Sequence, residues 1–272
     1  MASERIGVAV AGVAGRMGGR IVHALAGHPR LELVAGFEAP GHPAVGRSLA
    51  EVAGLAQAPG SVGDDPAAAL DKARVLINFT APEPSLEQAA LAADKGRACV
   101  IGTTGFTPEQ EKTLAELGRR IPLVWAPNMS VGMNLMFKLV GMIAQVLGPD
   151  YALEMVEAHH DQKKDAPSGT AVRLLRELAR ARGWDHDEVA VHGRRGLVGA
   201  RGREEIGVSV IRGGDIVGDH TVMYIGQGER IELTHRAHSR DTFAQGAVRA
   251  ADWVVEQKPG LYDMQDVLGL GD

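Results

Sequence analysis

The apolar run Ile6-Gly7-Val8-Ala9-Val10-Ala11 passes into Gly12-Val13-Ala14-Gly15-Arg16-Met17-Gly18, and then into a helical spacing of Ile21, Val22 and Leu25. An uninterrupted apolar stretch of this length suits a strand buried in a parallel sheet. Strand, glycine turn and helix in that order predict an α/β fold with a Rossmann-like, dinucleotide-binding domain. Gly12 permits a tight turn, Gly15 lets backbone approach a pyrophosphate, and Gly18 lets the helix pack on the strand. The spacing is Gly-x-x-Gly-x-x-Gly, so on pattern alone a glycine turn in an unrelated α/β fold stays open. Residues 31–37 read as the next strand. Glu38 at its tip stands where an adenosine ribose would be hydrogen-bonded, or is an ordinary polar strand end.

Further strands are expected at residues 75–79, 98–101 and 123–125, each followed by a polar loop. These loops are Asn78-Phe79-Thr80-Ala81-Pro82, Gly102-Thr103-Thr104-Gly105 and Ala126-Pro127-Asn128-Met129-Ser130. In an open parallel sheet they gather at one edge, where ligands bind. Helices are expected at 85–95 and after the capping box Thr107-Pro108-Glu109-Gln110. Residues 40–65, rich in Gly, Pro and Ala, read as a mobile excursion with a short helix at 49–55.

The second half has another character. An apolar helix with Met133, Met136 and Met142 is expected over 131–147, its methionines read as core filler. Strands follow at 153–158, 189–192, 206–211, 221–225 and 230–236, in an α+β arrangement with a mixed, largely antiparallel sheet. Residues 193–204 look like a flexible loop of glycine and arginine. Asp241 is expected to cap a helix that returns to the first domain. The predicted boundaries are 1–129 with 240–272 for the dinucleotide domain, and 130–239 for a substrate-binding and oligomerisation domain.

Between the strand at 153–158 and a helix at 171–182 lies His159-His160-Asp161-Gln162-Lys163-Lys164-Asp165-Ala166-Pro167-Ser168-Gly169-Thr170. A metal is not expected: adjacent strand residues point to opposite faces, and no spaced Cys or His pair completes a ligand set. Ser168 or Thr170 can cap the helix, whose free amides and positive dipole end then face the loop. With Lys163 alongside, the turn makes a pocket for a carboxylate or phosphate. A His and a Lys beside such a pocket form an acid–base pair with something to act on.

Glu157-Ala-His-His-x-x-Lys-x-Asp-Ala-Pro-Ser-Gly-Thr-Ala171 resembles the signature of the 4-hydroxy-tetrahydrodipicolinate reductase (dihydrodipicolinate reductase) family. The Gly-Thr-Thr-Gly and Ala-Pro-Asn-Met-Ser loops, Gly218-Asp219-His220-Thr221 and Glu232-Leu233-Thr234-His235-Arg236 also resemble it, so the likeness runs through essentially the whole chain. It implies an NAD(P)H-dependent oxidoreductase of diaminopimelate and lysine biosynthesis, acting on a small cyclic dicarboxylate. Water is lost, hydride passes to the ring, and tetrahydrodipicolinate leaves. Lys163 is the expected proton donor with His159 as its partner, while His160, Ser168, Gly169 and Thr170 hold a ring carboxylate. The resemblance places the cofactor on Gly12, Val13, Ala14, Gly15, Arg16, Met17 and Glu38, with Gly102, Thr103, Thr104, Ala126, Pro127, Asn128 and Met129 at the nicotinamide end. It also implies a homotetramer assembled through the second sheet. Members of the family that use both cofactors often carry an arginine directly after the acidic residue. Ala39 stands there in this chain, so NADH is expected to be preferred, with NADPH possible through Arg16 or Arg47. Two rivals are another Rossmann dehydrogenase of amino-acid metabolism and a non-catalytic dinucleotide sensor.

Composition narrows the field further. The formal charge of −5 argues against nucleic-acid or acidic-membrane partners. Cys99, the one cysteine, excludes an internal disulfide and reads as a small buried hydrophobe, which counts against a thiol-based aldehyde dehydrogenase. The chain enters its first strand without a signal-peptide layout, and no apolar run approaches membrane-spanning length, so a cytoplasmic protein is expected.

Overall fold

A computed structural model describes residues 5–271. Residues 1–4, on which the reading of the N-terminus partly rests, and residue 272 lie outside them. The described chain divides into two compact units, one made of residues up to 131 together with those from 240 onward, the other of Gly132–Ser239.

The first unit runs β1 (Ile6–Ala11), α1 (Arg16–Leu25), β2 (Leu31–Phe37), α2 (Leu49–Ala53), α3 (Pro66–Lys72), β3 (Val75–Asn78), α4 (Pro82–Asp94), β4 (Ala98–Ile101), α5 (Pro108–Gly118) and β5 (Pro122–Trp125). Every pairing in its six-stranded sheet is parallel, in the order β11-β5-β4-β3-β1-β2. Here β11 is Gly260–Tyr262, which follows α9 (Asp241–Val254) and precedes α10 (Met264–Leu268). The order reverses between β1 and β3, so the loops after those strands flank a topological switch point. Apolar side chains fill both faces of the sheet, as a doubly covered parallel sheet requires. Cys99 is fully buried in β4, and burial pushes its thiol up to about 12.

Several local expectations shift. Residues 40–65 are not a bare excursion: backbone bonds link Gly46 to Val62, Val62 to Arg47 and Leu49 to Gly60, and Phe37 bridges Gly63. The short helix there ends at Ala53, because Gly54 turns left-handed. Asp241 is the first residue of α9, not its cap, and its carboxylate pairs with Arg20 at 3.1 Å.

The second unit contains α6 (Val131–Leu147, beginning one residue upstream of the division), β6 (Ala152–His159), α7 (Gly169–Arg182), α8 (His186–Val189), β7 (Ala190–His192), β8 (Ile206–Arg212), β9 (Gly218–Ile225) and β10 (Arg230–Ala237). Its sheet is mixed, in the order β10-β9-β6-β8-β7. β6 pairs antiparallel with β9 and parallel with β8, and β7 pairs parallel with β8. This parallel half is larger than the alternation suggests, because the chain crosses over through α7 between β6 and β8.

The expectation about membrane-spanning length needs correction. Among the described residues, Val131–Asp150 is long and apolar enough to cross a membrane by length and composition. Its Met133, Met136, Phe137, Val140 and Ala144 instead pack in a core with Met155, Leu174, Leu178 and Tyr224. The Tyr224 hydroxyl donates to the Val140 carbonyl at 2.8 Å. The 193–204 loop is anchored at its base: Arg194 grips the Glu154 carboxylate with two bonds of 3.1 Å, and Arg201 donates to the same carboxylate at 2.9 Å.

Candidate functional site

In the first unit the glycine turn is set by close approach. Gly12 has φ of +65°, and a Cβ on Gly18 would fall 2.0 Å from the Gly12 carbonyl oxygen. α1 therefore begins hard against the end of β1. Its N-cap, Gly15, has no side chain to cap the first turn, so the amides there are left for another acceptor. Ala14, Gly15 and Arg16 are exposed, whereas Val13 is buried in the core. The Ala14 N–H donates to Glu38 Oε1 at 2.7 Å, which fixes the carboxylate beside the turn. Exposed amides, a positive dipole end and a neighbouring carboxylate suit a pyrophosphate followed by a ribose.

The loops after β3 and β4 are joined by a buried polar network. Asn78 Oδ1 accepts from the Thr80 amide, the Thr80 hydroxyl and the Ser85 hydroxyl, at 2.9, 2.8 and 2.9 Å. The Ser85 hydroxyl meets that of Thr103 at 2.6 Å, and Trp125 Nε1 donates to the Thr103 carbonyl at 3.2 Å. Gly102 lies where a Cβ would strike the Phe79 ring. Of the residues expected at the nicotinamide end, Thr104 and Pro127 are exposed and Gly102 and Asn128 half-buried. Thr103, Ala126 and Met129 are buried, so their side chains shape the loops from beneath.

In the second unit β6 delivers its last residue, His159, into a buried cluster. Glu157 and His159 lie two apart on a strand and share a face. Glu157 is wholly buried, and its Oε2 lies 2.5 Å from His159 Nδ1. Arg212, at the end of the neighbouring β8, donates to both carboxylate oxygens at 2.9 Å. The Ser168 amide donates to Oε1 at 3.0 Å. Burial opposes charge on Glu157, but bonds from Arg212, His159 and Ser168 outweigh it and hold the carboxyl below its ordinary range. Burial also lowers His159, assisted by the charges of Lys163 and Arg212 and opposed by Glu157. His220 on β9 sets its ring edge-on to His159, with centroids 5.2 Å apart, and burial brings it down to about 3.

The expected anion turn follows. Ser168 is the N-cap of α7, its hydroxyl accepting from the Ala171 amide at 3.1 Å and meeting His220 Nε2 at 3.2 Å. Gly169 is exposed and Thr170 half-buried in the first turn. His160 is half-buried just past β6, and its amide donates to the Ile216 carbonyl at 2.8 Å. The Lys163 side chain is one-fifth exposed, with Nζ 3.0 Å from Asp165. His159, Lys163 and the Ser168–Thr170 turn thus all belong to one β6–α7 connection. Sequence reasoning gave no role to Glu157, Arg212 or His220. The Glu-x-His spacing on a strand was the available signal for Glu157; nothing local marked Arg212.

Two family profiles match the chain: dihydrodipicolinate reductase N-terminus over residues 6–129, and dihydrodipicolinate reductase C-terminus over residues 132–268, the latter spanning the second unit and the closing segment that belongs to the first. A 4-hydroxy-tetrahydrodipicolinate reductase of Citrifermentans bemidjiense is 53% identical over 97% of this chain and 98% of its own. That of Geobacter sulfurreducens is 51% identical over the same shares. Among solved structures, a dipicolinate-bound dihydrodipicolinate reductase from Paenisporosarcina sp. TG-14 superposes with a TM-score of 0.77 at 27% identity, covering 97% of this chain and 99% of that one. Matched end to end by both profiles and by curated relatives at half identity, the chain belongs to the dihydrodipicolinate reductase family.

Proposed function

We propose that this protein is an NAD(P)H-dependent oxidoreductase that reduces 4-hydroxy-tetrahydrodipicolinate to tetrahydrodipicolinate in diaminopimelate and lysine biosynthesis. The supporting observation is the β6–α7 connection, which joins a buried histidine, a lysine and a capped helix start in a chain of this family. The glycine turn would hold the pyrophosphate of a reduced nicotinamide dinucleotide, which would supply the hydride when bound. Lys163 gives the proton that hydride addition to a conjugated imine demands, and His159 shares in moving it. His160 and the first amides of α7 at Gly169 and Thr170 hold a ring carboxylate. One charge-assisted bond of that kind contributes about 1.5–3 kcal/mol.

NADH is the preferred cofactor in this reading. Glu38 is pinned beside the turn and repels a ribose phosphate, Ala39 offers no cation, and Arg47 is engaged by Glu51 at 2.5 Å. The same proposal makes the enzyme cytoplasmic and homotetrameric, with the face of the second sheet that carries Val156, Ile211, Thr221 and Met223 as assembly surface. The test is cofactor oxidation in a coupled assay with aspartate semialdehyde, pyruvate and the upstream synthase. Oxidation that depends on the synthase product supports the reading. Oxidation by aspartate semialdehyde alone points to a different dehydrogenase, and none at all to a sensor.

A further inference from the structure

Building on the reading that His159 shares the proton chemistry, we infer that Glu157, braced by Arg212, is a positioning residue that decides which imidazole nitrogen of His159 serves the reaction.

The geometry leaves little choice of tautomer. An ionised carboxylate only accepts hydrogen bonds. Glu157 Oε1 already accepts from the Ser168 amide and Arg212 Nη2, and Oε2 accepts from Arg212 Nη1. Oε2 also lies 2.5 Å from His159 Nδ1, so that nitrogen must carry the hydrogen. Nε2 is left with its lone pair. It points toward Gly218, where a Cβ would come within 3.1 Å, so β9 puts no side chain in front of it.

The charges sort the roles. Arg212 balances Glu157, so the pair does not draw His159 into a permanent imidazolium. The other titratable groups around the ring are Lys163 from the loop and His220 from β9, with His235 of β10 opposite His220 in register. None of these is a second carboxylate. His159 therefore rests neutral, able to accept at Nε2 while Lys163 carries the transferable proton.

The same carboxylate also ties His159 to substrate binding. Oε1 holds the amide of Ser168, whose hydroxyl caps α7. Arg212 further donates to the Asp165 carbonyl at 2.7 Å, pinning the loop between Lys163 and Ser168. One buried ion pair thus registers the proton partner against the anion turn.

The test uses the full-length protein with ¹⁵N-labelled imidazoles, His159 being assigned by its loss in His159→Gln. At neutral pH the expected state is hydrogen on Nδ1 and none on Nε2. The opposite tautomer in the unmodified protein overturns the inference, and this measurement stands even if no Glu157 variant folds. In Glu157→Gln the amide presents donors where only acceptors fit. The Nδ1–H preference should be lost, and kcat should fall about 10²-fold, the lower end of an acid–base contribution, with KM within a few-fold. The acid limb of the pH–rate profile should move with it, which a purely structural defect would not produce. Turnover within about two-fold of the parent in a folded Glu157→Gln protein overturns the positioning role. Full turnover in His159→Gln removes His159 from the proton path, and the inference with it, even where the Nδ1–H tautomer is intact. The spectrum and the coupled assay therefore report separate failures.

Discussion

Gly18 and Gly19 are neighbours in α1, and a methyl group added to each should act in opposite directions. A Cβ on Gly18 would lie 2.0 Å from the Gly12 carbonyl oxygen, 2.7 Å from Val13 Cα and 2.8 Å from the Gly12 carbonyl carbon. All three are backbone atoms of the turn, so no rotamer change relieves the contact. The first turn of α1 must lift from β1, loosening the packing of Ile21, Val22 and Leu25. Alanine gains about 1 kcal/mol of helix propensity over glycine. Overpacking costs about 1–3 kcal/mol, and a clash with rigid backbone belongs at the upper end. Gly18→Ala should therefore destabilise by a net ~2 kcal/mol, a fall in Tm of about 4–8 °C for a unit of this size. It should also weaken dinucleotide binding, since the turn itself must move. For Gly19 the nearest atom to an added Cβ is the Val13 carbonyl oxygen at 4.0 Å, so only the propensity gain remains. Gly19→Ala should raise Tm or leave it unchanged. Thermal unfolding and cofactor titration of the two variants side by side decide the matter. A Gly18→Ala protein as stable as the parent, with normal cofactor affinity, refutes the close-approach argument.

Three other outcomes are expected. Lys163→Ala should cut turnover by about 10²–10⁴-fold with cofactor affinity near normal, and turnover within two-fold of the parent takes Lys163 out of the mechanism. Ala39→Arg should raise kcat/KM for NADPH more than for NADH, the contrast shrinking at high salt because it is electrostatic; an unmodified protein that prefers NADPH contradicts the role given to Glu38. Stability should fall on acidification: His159 and His220 have folded values below 6.5, so their contribution is present above 6.5 and lost as pH drops toward those values. His220, lowered to about 3, alone should account for a loss of about 1.4 kcal/mol per pH unit over most of that window. In urea unfolding between pH 7 and 5, His220→Gln should show a shallower slope, and an unchanged slope counts against the burial argument.

The features legible in the sequence are those whose partners are close along the chain. The Gly12–Gly18 turn, the Thr107–Gln110 capping box and the Ser168 cap are all decided within seven residues, and all are present. The His159–Lys163 segment is equally local. What escaped depends on distant partners. Arg212 reaches Glu157 across 55 positions, and no local pattern marks an arginine at a strand end as the brace of a carboxylate. The parallel pairing of β6 with β8 is hidden because alternation records faces, not neighbours. β11 is three residues long, too short for a periodic signal, and it exists because β5 offers an edge to pair with. α3 was recoverable: Asp65 followed by Pro66 is a helix start, with Asp65 accepting from the Ala67 amide at 2.8 Å.

The split of the first unit along the chain bears on synthesis. Its core takes Ala244, Ala247, Val248, Ala250, Ala251 and Val254 from α9, and β11 completes the sheet beside β5. On a ribosome these pieces emerge only after every residue of the second unit has been made. The 132–239 segment, contiguous in sequence, can finish folding while the nucleotide-binding sheet still shows an uncovered apolar face. A nascent chain of this kind passes through a stage in which α1 has no α9 to pack against and β5 is a bare edge, the form in which it is most exposed to misassociation. A chain that stopped short of residue 241 would remain at that stage permanently, with an intact second unit attached to an unfinished first.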